Sequence, residues 1–72
     1  MTQIAHRIAE LNKLYEDALK ERNEAQAVIT RKFAGIASGI HRDNPTEAEL
    51  DRLDLANQRL HALEQELLEL LP

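Results

Sequence analysis

Seventy-two residues make at most one domain, and with no cysteine there is neither a disulfide nor a thiolate metal site to reinforce it. A chain this short rarely builds a core worth more than ~3–5 kcal/mol alone, which leaves a second chain as the reinforcement. The net charge of −4 and pI near 5.2 disfavour nonspecific binding to nucleic acid or to an anionic membrane.

The chain opens on MTQIAHRIAELNK, where His6, Arg7 and Glu10 interrupt the apolar residues, so no secretory signal is expected. No uninterrupted apolar run exceeds three residues, against the ~20 that a membrane span needs. The expected setting is the cytoplasm. From there one long helix is predicted over about residues 3–38. At about 100° per residue, Ile4, Ile8, Leu11, Leu14, Tyr15, Ala18, Leu19, Ala25, Ile29, Phe33 and Ile36 fall in one sector about 140° wide. Neither Pro nor Gly interrupts residues 2–34, and helix formers dominate. Thr2 is the expected N-cap, and Glu16–Lys20 an expected pair one turn apart.

The stop lies in AGIASGIHRDNP. Gly39, followed by Ile40, suits the left-handed residue just past a helix end, with Gly35 as an earlier alternative. Arg31 and Lys32 lie near that end, where cations complement the helix dipole. The hinge covers about residues 39–44. Asn44 before Pro45 is held extended, which suits an N-cap, and Pro45 suits the first helical position. Glu47 would reach back to Asn44 as in a capping box. Thr46 with Glu49 offers a competing start two residues later. The second helix is predicted over about residues 45–71, with a leucine seam at Leu53, Ala56, Leu60, Leu63, Leu67 and Leu70.

A short hinge makes the helices antiparallel neighbours, so residues 1–72 form a single all-α helical hairpin. Folding about the hinge centre puts Leu67 near Glu16 and Leu71 near Asn12. Helix 2 then ends before it covers Ile4, Ile8 and Leu11. Each of these side chains is worth ~1.5–3 kcal/mol when buried. A stripe 140° wide also suits a helix with two or more neighbours. The expected closure is a homodimer forming a four-helix bundle, or docking on another protein. Ile4, Ile8, Leu11, Tyr15, Leu19 and Arg22 are the expected interface. Arg22 interrupts the stripe between Ala18 and Ala25. Either it snorkels out of an alanine-lined layer, or it forms a polar layer with Glu64 or Gln58.

Residues 1–42 carry seven Lys/Arg and five acids, while residues 43–72 carry two Arg and eight acids. Opposite-sign helices side by side would gain modestly. The three histidines have no ligand spacing, Ser38 is the only serine, and the Gly35–Gly39 stretch is no phosphate loop. Neither catalysis nor a metal or other cofactor is expected. The remaining cluster is a basic-apolar tip of Arg31, Lys32, Phe33, Ile36, Ile40, His41 and Arg42, a possible recognition surface on a rigid scaffold.

In shape the hairpin resembles small helical regulators, including secretion co-chaperones and phage-encoded anti-host proteins. The resemblance implies a dimeric regulator that binds a larger protein, such as a transcription regulator or motor ATPase, and inhibits or sequesters it. The alternatives are a secretion co-chaperone and an RNA- or DNA-binding bundle using helix 1.

Overall fold

The computed structural model describes residues 2–40 and 43–71. Two helices account for nearly all of them: α1, Thr2–Ser38, and α2, Glu47–Leu70. They lie antiparallel along one another as a hairpin measuring 57 × 17 × 15 Å. The long dimension is set by α1, because 37 residues rising 1.5 Å each span about 55 Å. The cap expected at Thr2 concerns a side chain outside those described.

The end of α1 follows from Gly39. Its φ of 75° is a left-handed conformation open to glycine at little cost. The Gly39 N–H donates to the Ile36 carbonyl and the Ile40 N–H to the Gly35 carbonyl, both at 3.1 Å. This pair of reversed bonds is the Schellman motif, and it satisfies carbonyls the helix leaves open. Gly35 stays helical and buried, so the stop is at the second glycine. Arg31 and Lys32 fall short of the last turn, which holds no basic residue, so the expected dipole contact is not made.

The start of α2 differs from the expectation at Asn44. Thr46 is the N-cap, with extended φ −76° and ψ 159°. Its hydroxyl accepts from the Glu49 N–H at 3.1 Å, and the Glu49 carboxylate accepts from the Thr46 N–H at 2.8 Å. Two orphan groups are satisfied reciprocally, which favours this start over one at Asn44. Pro45 therefore precedes the helix instead of opening it. Glu47 and Glu49 sit in the first turn, where negative charge complements the helix dipole.

Asp43 lines one hollow with Val28, Arg31 and Lys32 of α1. The whole of α2 is shifted towards the start of α1, further than folding about the hinge centre allows. Glu66 meets Arg7 and Glu64 meets Tyr15, whereas folding about the hinge centre would put them opposite Asp17 and Leu19.

That shift corrects the expected shortfall. Leu11, expected to be uncovered, is 1% exposed and belongs to the core with Ala18, Leu60 and Leu63. Tyr15, Leu19, Leu67 and Leu70 pack against this cluster. Ile8 is half-buried, and Ile4 remains exposed. Towards the hinge the buried side chains are Ala25, Ile29 and Ala56.

Candidate protein-binding surface

A hairpin of two helices has two long flanks beside its seam. Helical spacing assigns each residue to a flank, and the contacts across the seam fix which flanks adjoin. One flank is ionic. Arg7 bonds Glu66 at 2.8 Å and Glu10 at 3.2 Å. Arg52 grips Glu21 through both nitrogens at 2.7 and 3.1 Å, with Glu24 at 3.8 Å. The bond from Arg52 holds the Glu21 carboxyl below its ordinary pKa. Exposed pairs of this kind add little to stability, since solvent screens them. The Glu16–Lys20 pair does not form within 4 Å. Leu14 and Leu55 are isolated exposed leucines on the ionic flank, an ordinary occurrence.

The opposite flank is poor in charge. Its one cross-seam polar contact among the described residues is the Tyr15 hydroxyl donating to Glu64 at 3.3 Å. On α1 it presents Ile4 and Phe33 exposed, with Ile8 and Leu19 half-buried. Within about 60° of Leu19, the only charged side chains on α1 are Glu16 and Arg22. Along α2 the same flank exposes Leu50 and Leu68, followed by Leu71 just past the helix end, between 48% and 62% accessible. Asn57, His61 and Glu64 lie between these leucines. Charge depletion over an apolar strip is what marks the centre of a protein interface.

Arg22 settles at the edge of this strip. It is half-buried beside the fully buried Ala18 and Ala25, and its Nε donates to the Asn23 side chain at 3.1 Å. It bonds neither Glu64, which accepts from Tyr15, nor Gln58, which donates to Asp54. Arg22 itself makes no ion pair across the seam among the described residues, and the guanidinium snorkels.

Of the residues singled out in the sequence for an interface, Ile4, Ile8, Tyr15, Leu19 and Arg22 share the charge-poor flank, whereas Leu11 is buried beneath it. The tip residues do not share one face. Lys32 turns towards α2 and pairs with Glu49, both half-buried. Arg31 lies on the outer side of α1 and bonds the Ala27 carbonyl at 3.3 Å. Phe33 belongs to the charge-poor flank, and Ile36 and Ile40 are exposed at the end. His41 and Arg42 lie outside the described residues. Leu50, Leu55 and Leu68 are legible in the sequence as leucines off the centre of the α2 seam that widen its apolar area; the structure separates them, with Leu50 and Leu68 on the charge-poor flank beside Leu71 and Leu55 on the ionic one.

Comparison with family models, curated proteins and solved structures finds no match. What the surface offers must therefore be read from its chemistry. The hollow lined by Val28, Arg31, Lys32 and Asp43 is open to solvent. Among the described residues no side-chain polar group is buried without a partner, and no three acidic or histidine side chains converge on a metal position. No described helix is long and apolar enough to cross a membrane. An apolar strip between polar margins is suited to another polypeptide.

Proposed function

We propose that this chain is a non-enzymatic protein–protein interaction module, a helical hairpin that dimerises into a four-helix bundle and binds a larger protein to inhibit or sequester it. The observation that carries the reading is the charge-poor flank, with Ile4, Phe33, Leu50, Leu68 and Leu71 exposed along it. A core made of two helices leaves that much apolar area unburied, and the strip lies on one side only. Self-association removes it from water at about 25 cal/mol per Å². The larger target is assigned to the hinge end. There the Schellman motif holds Ile40, which is 74% exposed, at a fixed place beside Ile36.

Light scattering tests the first part: the expected mass is twice that of the 8.2 kDa chain, and Leu68→Asp should reduce it to one copy. Affinity capture tests the second, with Ile40→Asp as the paired control. A protein held by the wild type and released by Ile40→Asp supports the reading. A folded monomer that retains nothing overturns it. The cations of α1 do not favour nucleic acid: Arg7 and Lys32 are paired, and Asp17 and Glu24 interrupt the line of Lys13, Lys20 and Arg31.

A further inference from the structure

The geometry points to Arg22 as the residue by which this chain recognises its own copy: across two paired hairpins it meets the partner's Glu64, in a polar layer shared with Asn57 and the partner's Tyr15. This rests on the self-association proposed above and deepens it by naming the residues that select the partner. Arg22 and Glu64 both lie on the charge-poor flank, and neither has an opposite charge within 4 Å among the described residues. Each is what the other lacks, so a second copy of the chain supplies both.

The two groups stand on separate levels of the flank. The Tyr15–Glu64 hydrogen bond puts those two residues at one height. Arg22 lies seven residues from Tyr15 along α1, and Asn57 seven residues from Glu64 along α2, both towards the hinge. Seven residues advance a helix by about 10 Å and leave the side chain within about 20° of its former direction. Arg22 and Asn57 therefore form a second level that faces as the first does. Both charges also lie on the side of the strip nearest the seam. Arg22 is beside the buried Ala18 and Ala25, and Glu64 lies between the buried Leu60 and the exposed Leu68 around α2. When two hairpins stack, that side faces the middle of the four helices.

A two-fold axis can set the hairpins face to face in two ways. An axis along the helices preserves heights, so Arg22 meets the partner's Arg22 and Glu64 meets the partner's Glu64. Like charges then face each other among apolar side chains. An axis across the helices puts the hinges at opposite ends. It exchanges heights and keeps each side chain on its own side of the strip. Placed midway between the two levels, it brings Arg22 to the partner's Glu64 in the middle of the bundle, and Glu64 to the partner's Arg22. Residues remote from the layer share that midpoint. Ile4 and Phe33 are exposed on the seam side of α1 and equidistant from it, so each is covered by the partner's copy of the other. Glu16 and Lys20, unpaired within the chain, straddle nearly the same point on the outer side of α1. Glu16 thereby falls beside the partner's Lys20.

Charge exchange between chains tests the pair. Arg22→Glu alone and Glu64→Arg alone should each remain helical by circular dichroism and weaken the dimer about a hundredfold. Mixed together, the two variants should form a heterodimer within about threefold of the wild-type affinity, because each layer then holds one acid and one base. Should either variant fail to fold, cysteine cross-linking gives the same answer without background, since the chain has no cysteine. Under mild oxidation Ile4→Cys mixed with Phe33→Cys should give a disulfide-linked dimer, and neither should do so alone. A monomeric wild type overturns the self-association reading together with this pair. A wild-type dimer whose charge variants mix no better than they self-associate, or in which Ile4→Cys cross-links to its own copy, overturns the pair alone.

Discussion

Single residues carry more than one duty here, and Glu49 carries the most. Its carboxylate caps the Thr46 N–H and also pairs with Lys32. The hydrogen bond from Lys32, followed by that from the Thr46 backbone, lowers its pKa from 4.5 to about 2. A pKa depressed by folding stabilises the native state above about pH 4.5, and that contribution is lost as pH falls through about 2. Glu21, lowered by Arg52, acts in the same direction. Glu49→Gln keeps a side chain able to complete the capping box but removes the charge. Acid titration followed by circular dichroism should show the variant losing less stability than the wild type between pH 4.5 and 2. Gly39 gives a second test. A Cβ there meets nothing within 4 Å, yet φ is 75°. Gly39→Ala should therefore destabilise by about 1–2 kcal/mol through backbone strain alone, read as a shift in the urea midpoint with an unchanged slope.

At the scale of elements, the helices were legible and their junction was not. The 3.6-residue stripe and the leucine seam identify α1 and α2 because a helix must turn one face to its neighbour. Gly39 as the stop was legible for a similar reason, since few residues accept that conformation. The start of α2 had two signals two residues apart. Asn44–Pro45 satisfies local preferences, whereas Thr46–Glu49 closes a reciprocal pair that Lys32 reinforces from the other helix. Only the packed hairpin supplies Lys32. Thr46→Ala should thus cost about 1 kcal/mol, while Asn44→Ala should change stability by less than about 0.5 kcal/mol in the same denaturation experiment.

At the scale of the molecule, the packed pair decides the register between the helices. It brings Leu11 under α2 and makes it the largest fully buried side chain among those described. Leu11→Ala should cost about 2–5 kcal/mol, most of what so small a core provides, and leave the isolated chain largely unfolded by circular dichroism. What the sequence determined by itself is the pair of helices, the antiparallel hairpin and the excess of apolar surface, since periodicity, capping residues and composition act locally. What only the tertiary structure decided is which side of each stripe is covered. Helix 2 lies against one edge of the α1 stripe, where Arg7–Glu66 and Arg52–Glu21 close the margin, and leaves the other edge uncovered with Leu50, Leu68 and Leu71 beside it. A 140° stripe has no preferred edge until a second helix occupies one, and only the packing of the two helices together decides which.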